Sequence, residues 1–348
     1  MPRDVRAIVF PAPGSCELRT LQAADPRPDQ VVVETELTTV SPGTELRVLA
    51  GALESKDRFP VIPGYSALGR VSEVGADVRG WRVGDLVAAG GGTTVPGYTS
   101  LWGQQASWLA CDPGSLVRLP EGAEIFDYAL IELAAIAHRG ITAAMPAAGE
   151  VAVVIGQGII GALATRWLLR AGVRVVVTDL VPERLARANA WGVSGSVDGR
   201  EPDAEARIRS LIGHGADIVV EASASIPGAL LARKLLRPAM LRGWQTGFRP
   251  DLLRNAASIW PRLLYLATYT KTFDIIPSAA ENVEGAIVLT TLDRSHEDRR
   301  AAVAALREGL VRTTEFLPAP ISVAQAAETY LRLRDRPAEA TAAVFSWR

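Results

Sequence analysis

The chain is predicted to be an α/β protein in which a β-rich domain precedes a doubly wound parallel sheet, and three observations carry that reading. The run 151–179, VAVVIGQGIIGALATRWLLRAGVRVVVTD, holds a strand, a glycine turn, a helix, a second strand and a terminal acid in that order. The third of the chain before it reads as short strands broken by turn signals. The last stretch, ISVAQAAETYLRLRDRPAEATAAVFSWR, reads as a helix and then a strand, which is expected to return and complete the first domain.

Taken in order, β-branched and alternating apolar residues mark strands at 7–10, 30–37, 67–74 and 86–89. Pro42-Gly43, Pro63-Gly64, Gly84-Asp85 and Gly90-Gly91-Gly92 punctuate them, so the first domain is expected to be all-β and partly barrelled. Residues 123–145 have a helical pattern and should carry the chain into the second domain.

There, 151–155 is a short continuous apolar strand, and Gly156, Gly158 and Gly161 follow in G-x-G-x-x-G spacing. Gly156 permits the tight turn, Gly158 lets the backbone approach a pyrophosphate, and Gly161 lets the helix pack on the strand. The first N–H groups of that helix, at Ile159 and Ile160, supply an anion site. The second strand, 173–178, ends in Asp179, where a carboxylate accepts from the adenosine ribose hydroxyls and repels a 2′-phosphate. That favours NAD over NADP as cofactor. Arg184 on the next helix is placed to flank the adenosine; a helix-surface arginine is the alternative reading, and an arginine also serves NADP.

Beyond Asp179, PERLARANAWG is an amphipathic helix, 216–223 a buried strand, 228–236 a helix and 240–243 a final strand of the sheet. Residues 250–269 look helical with a break at Pro261, and 295–311 form a helix rich in Ala and Arg. The domains are therefore expected at 1–122 with 270–348, and at 123–269. No internal repeat and no low-complexity linker is present.

Composition narrows the function classes. With 37 Lys and Arg against 38 Asp and Glu, no field of one sign suggests a nucleic-acid or anionic-membrane partner. Two cysteines, Cys16 and Cys111, cannot build a disulfide framework or a four-thiolate zinc site. The start MPRDVRAIVF lacks the apolar region of a signal peptide, and no apolar run reaches the ~18–20 residues of a membrane span. A cytoplasmic enzyme acting on a small-molecule substrate is expected.

The order of domains and the motifs SPGTELRVLAG (41–51), PGYSALGRVSEVGADVRGWRVGD (63–85), ALIELAAIAHRGI (129–141) and DIVVEAS (217–223) resemble the medium-chain dehydrogenase/reductase superfamily. SPGTE and AAIAHRGI are most similar to its bacteriochlorophyllide a dehydrogenase type, whose members oxidise a hydroxyethyl side chain to an acetyl group. The resemblance implies a GroES-like catalytic domain, a Rossmann domain and a homodimer paired through the edge strand near 240–243. It also implies cofactor contacts at Ala222, Ser223, Trp244 and Gln245, besides those above.

The resemblance departs at the metal. Zinc relatives place a cysteine two residues before a Thr or Ser, a histidine in P-G-H-E, and a Cys or Glu ahead of the nucleotide domain. Here Pro42, Tyr65 and Glu132 stand at those positions and Ser66 replaces the glutamate after the histidine, so a zinc-independent enzyme is expected. Thr44 matches the hydroxyl residue that bonds the substrate oxygen. Tyr65 is a candidate proton donor, Glu132 a candidate general base, and His138 a further acid-base candidate. The plainer alternatives are that Tyr65 fills volume, that Glu132 pairs with Arg139 or caps a helix, and that His138 bonds backbone. Trp102, Trp244, Trp260, Tyr98 and Tyr65 are expected to line an interdomain cleft, which suits a ring-bearing or extended substrate. The leading expectation is an NAD-dependent enzyme interconverting a secondary alcohol and a ketone. An enoyl or quinone reductase and an inactive nucleotide-binding protein remain open.

Overall fold

The computed structural model describes residues 3–52, 55, 57–238, 260–269, 286–291, 293–336 and 342–348. The chain splits into two compact units, Met1–Glu132 with Arg299–Arg348, and Leu133–Asp298.

In the first unit the strand Val31–Thr39 is the centre of a mixed sheet. It pairs antiparallel with Ala67–Val74, with Trp108–Cys111 and with the C-terminal strand Val344–Ser346. Val344 lies opposite Thr39 and Ser346 opposite Leu37, so the last strand completes the first domain as its sequence suggests. Leu86–Ala88 and Val117–Arg118 extend one side, Ile321–Ser322 closes the other, and the hairpin Arg3–Val9 with Glu17–Ala23 stands as a separate pair.

The helix Pro42–Leu49 starts with Pro42 in its first turn, where a missing N–H costs nothing. It buries Val48 and Leu49 in a cluster with Phe10, Tyr330 and Phe345. Tyr330, on the helix Ala326–Asp335, meets Phe10 edge-on at 5.1 Å. Burying side chains of this size contributes ~1.5–3 kcal/mol each, which ties the C-terminal segment to the first unit.

Among the described residues, the second unit holds a six-stranded, wholly parallel sheet. Its spatial order is Gly195–Asp198, Arg174–Asp179, Val151–Ile155, Ile218–Glu221, Arg262–Tyr265 and Ile287–Thr290. The strand order reverses direction beside Val151–Ile155, which places a switch point at the C-terminal ends of that strand and Ile218–Glu221. Val175, Val176 and Val177 are fully buried, the continuous apolar run of a strand covered on both faces.

Several elements differ from the sequence reading: Pro42-Gly43, read as a turn between strands of an all-β domain, instead opens the helix Pro42–Leu49. Residues 123–145 form a short 3-10 turn, Ile125–Tyr128, and then the helix Ile131–Ala143, not one helix. Arg262–Tyr265 is a fully buried strand, not part of a helix. The short run Leu263-Leu264-Tyr265 fits either period, and here Pro261 stops a helix while its carbonyl accepts from Ile287. Because Ile287–Thr290 pairs with that strand, the second unit runs on to Asp298 and not to 269. The strand expected at 240–243 lies outside the described residues.

Candidate functional site

The glycine turn of the second unit is shaped by contacts that leave no room for side chains at two of its three glycines. Gly156 sits at φ +87°, and its N–H donates to the Thr178 carbonyl at 2.8 Å. A Cβ there would lie 2.8 Å from the Ser223 nitrogen, and one on Gly161 would lie 1.9 Å from the Gly156 oxygen. Gly158 differs: a Cβ would meet nothing within 4 Å. The fold itself requires Gly156 and Gly161, whereas Gly158 borders open space at the start of the helix Ile159–Arg170. The first helical bond runs from Ala162 N–H to the Gly158 carbonyl, so the N–H groups of Ile159, Ile160 and Gly161 have no acceptor within the helix.

Asp179 braces this turn. One carboxylate oxygen accepts from Gln157 N–H at 2.5 Å and the other from Val181 N–H at 2.8 Å. Two of its roughly four acceptor directions are thus used by backbone, and two remain. The Arg184 guanidinium lies 3.6 Å away. Ala222 and Ser223 abut Gly156 from the neighbouring strand end. Their loop is held by the fully buried Glu221, which accepts from Ser223 N–H, the Ser223 hydroxyl and the Tyr269 hydroxyl. Trp244 and Gln245 lie outside the described residues.

His138 also belongs to the second unit. Its Nδ1 lies 2.7 Å from Asp298 Oδ1, its ring meets Trp167 edge-on at 4.6 Å, and Arg139 reaches the other Asp298 oxygen at 3.0 Å. Burial pushes the Asp298 carboxyl up, but bonds from Ser295, His138 and Arg139 outweigh it and hold the group below its ordinary value.

The first unit holds the other expected residues. Thr44 lies in the first turn of Pro42–Leu49, with its N–H on the Ser41 carbonyl. The Tyr65 hydroxyl donates to Ser41 Oγ at 2.6 Å, and its ring is edge-on to Trp102 at 5.3 Å. Tyr65 is buried at 6 % exposure and Trp102 is 42 % exposed. Glu132 is fully buried, and it pairs not with Arg139 but with Arg299, whose Nε donates to it at 2.8 Å. The same guanidinium donates to the carbonyls of Ala89 and Ser115. Tyr98 packs on the first unit's core and accepts from Arg19, and Trp260 is partly buried. Cys16 and Cys111 are buried and unbridged; burial pushes their thiols up to about 12 and about 11.

Sequence reasoning passed over Ser41, Glu45 and Arg299. Glu45 follows Ser41 by four residues and reaches back to its N–H, a spacing close to that of a capping box and in principle readable. Arg299 lies 167 positions from Glu132, with no local signal at all. Among the described residues, no three His, Cys, Asp or Glu side chains are grouped as a metal site requires. No helix among them is long and apolar enough to cross a membrane.

Two family profiles match the chain: "Alcohol dehydrogenase GroES-like domain" over residues 27–121 and "Zinc-binding dehydrogenase" over 160–239. An alcohol dehydrogenase of Rhizobium meliloti is 30% identical over 213 residues, covering 55% of this chain and 62% of that protein. The 2-desacetyl-2-hydroxyethyl bacteriochlorophyllide A dehydrogenase of Cereibacter sphaeroides is 29% identical over 195 residues, 54% of this chain and 60% of the relative. The chain thus spans about three-fifths of the length of these relatives. The crystal structure of 2R,3R-butanediol dehydrogenase from Bacillus subtilis superposes with a TM-score of 0.81 at 19% identity, over 99% of this chain and 100% of that one.

Proposed function

Because the chain belongs to the medium-chain dehydrogenase/reductase superfamily, we propose that it interconverts a secondary alcohol and a ketone by hydride transfer, with NAD as cofactor. The substrate we assign is a cyclic or extended small molecule, on the strength of the Tyr65 and Trp102 rings. The observation that carries the reading is the glycine turn: two glycines the fold needs, and a third, Gly158, beside open space at a helix N-terminus. That is what a pyrophosphate requires of a backbone.

When bound, NAD supplies a ring that accepts the hydride. The chain's part is to hold and orient. Gly156, Gly158 and Gly161 shape the turn, Ile159 and Ile160 offer N–H groups to the phosphates, and Ala222 and Ser223 fix its floor. Asp179 keeps two acceptor directions for the ribose hydroxyls, and Leu180, 61 % exposed, gives a 2′-phosphate no partner. Calorimetric titration with NAD and NADP tests the choice, and tighter binding of NADP would overturn it.

The residues at the expected metal positions do not fit zinc. Pro42 has no donor atom, the Tyr65 hydroxyl is engaged with Ser41, and the Glu132 carboxylate is neutralised by a guanidinium. No step is therefore assigned to a metal; one zinc per chain by elemental analysis would break this reading. We assign Tyr65 and Thr44 to the substrate oxygen. Glu132 and His138 we assign to positioning, through Arg299 and Asp298. Tyr65→Phe is expected to lower turnover by roughly 10²–10⁴-fold with NAD affinity unchanged. We also propose a homodimer through Ile287–Thr290, the outermost of the described strands, where Val288 is 47 % exposed. Light scattering at the mass of one 37.1 kDa chain would refute it.

A further inference from the structure

Ser41 occupies the N-cap of Pro42–Leu49, where a serine hydroxyl ordinarily accepts from a backbone N–H of the first turn. Its side chain makes no such bond. Ser41 Oγ instead accepts from the Tyr65 hydroxyl at 2.6 Å, and the Ser41 N–H donates to Glu45 Oε1 at 2.7 Å. Glu45 is itself fully buried, and its second oxygen accepts from Gln105 Nε2 at 3.2 Å and from the Tyr330 hydroxyl. Donors from three separate segments therefore converge on one carboxylate, and that carboxylate fixes the Ser41 backbone. A capping bond worth ~1 kcal/mol is given up for the contact with Tyr65. A local rule set aside in this way marks a contact with another purpose.

We propose that Ser41, anchored by Glu45, is a positioning residue that sets the direction of the Tyr65 hydroxyl; this rests on the reading of Tyr65 as the group that meets the substrate oxygen. In this arrangement the Tyr65 hydroxyl gives its proton to Ser41 and meets an alcohol O–H as an acceptor. To serve a ketone, which only accepts, the pair reverses: Ser41 turns its own hydroxyl to donate to Tyr65, and Tyr65 donates outward. The two hydroxyls thus form a reversible donor pair, in which Ser41 also stabilises the ionised phenol by donating to it.

The test is the titration of Tyr65 followed by NMR of ring-carbon-labelled tyrosine in the full chain, with its signal identified by loss in Tyr65→Phe. Ser41→Ala is expected to raise the Tyr65 pKa by about half a unit or more, and Ser41→Thr to restore it, because only a hydroxyl donates to the phenolate. Ser41→Gly removes the same hydroxyl at a position where glycine costs a helix only a few tenths of a kcal/mol, and it stands in should the alanine variant not fold. Titrations that coincide in the presence and absence of the Ser41 hydroxyl overturn the positioning role alone. A shifted titration beside unchanged NAD-linked oxidation of cyclohexanol in Tyr65→Phe overturns the substrate-facing reading, and leaves the pair as packing.

Discussion

The glycine turn of the second unit is made of backbone from one short run of sequence, braced by a single carboxylate. The polar cluster of the first unit is made of side chains whose partners lie up to 285 positions apart, as between Glu45 and Tyr330. A backbone site demands residues without side chains at fixed intervals, and those intervals survive as a written pattern. A side-chain site demands only that the fold bring suitable groups together. Its stability, correspondingly, rests on satisfying buried charge, whereas that of the turn rests on space.

The sharpest way to break the comparison is to remove charge from the first unit. Glu132→Gln leaves the Arg299 guanidinium, 7 % exposed, without its counter-charge, and loss of one partner of a buried pair costs about 3–5 kcal/mol. Denaturant unfolding is expected to show a loss of that size. Replacing both residues by apolar ones of similar volume should recover most of it. A Glu132→Gln variant as stable as the parent would mean that water or another carboxylate shares the cation.

The next largest effect separates space from ligand within the turn. Gly161→Ala forces a methyl against the Gly156 carbonyl and is expected to cost about 1–3 kcal/mol, as overpacking does. Gly158→Ala has room and should leave the melting temperature unchanged, while weakening NAD binding about tenfold or more, since the methyl occupies the approach of the pyrophosphate. Equal effects of the two alanines on stability would erase the distinction drawn between these glycines.

The smallest expected effect is a slope with pH. Burial pushes the Glu45 carboxyl up to about 7, against the pull of its bonds from Tyr330, Ser41 and Gln105. The folded chain therefore holds this proton more tightly than the unfolded chain, whose value is near 4.5. The stability so gained is complete below that lower value and is lost as pH rises through about 7. Tyr330 and Cys16, the other groups at the site, are pushed up by burial and do not titrate in this window. Calorimetric melts are expected to fall between about pH 5 and about pH 8, and the fall should vanish in Glu45→Gln. A fall that persists in the variant assigns the slope elsewhere.

The contrast between the regions also sets what was legible in the sequence. Gly156, Gly161 and Asp179 were readable because each has a steric or hydrogen-bonding duty to neighbours within a few tens of residues. The return of the C-terminal strand was readable from the same kind of local pattern, in AAVFSWR. Arg262–Tyr265 was not, since a run as short as Leu263-Leu264-Tyr265 fits two periods and only the neighbouring strands decide between them. Glu132 drew notice through the zinc-ligand position it holds by resemblance, but its partner Arg299 is one arginine among many. Ser41 carried no signal of its partner, since a serine before a proline says nothing of a tyrosine 24 positions on.

The strand Val344–Ser346 and the helix Ala326–Asp335 complete the first unit, although the whole of Leu133–Asp298 lies before them in the chain. On the ribosome the second unit therefore has all its residues while the first still lacks Tyr330, Phe345 and the strand that pairs with Leu37–Thr39. One side of Val31–Thr39 stays an open edge, with Glu45 missing its Tyr330 donor, until the final residues emerge. The unit begun first is finished last, and its nascent form is the state most in need of protection from pairing with another chain.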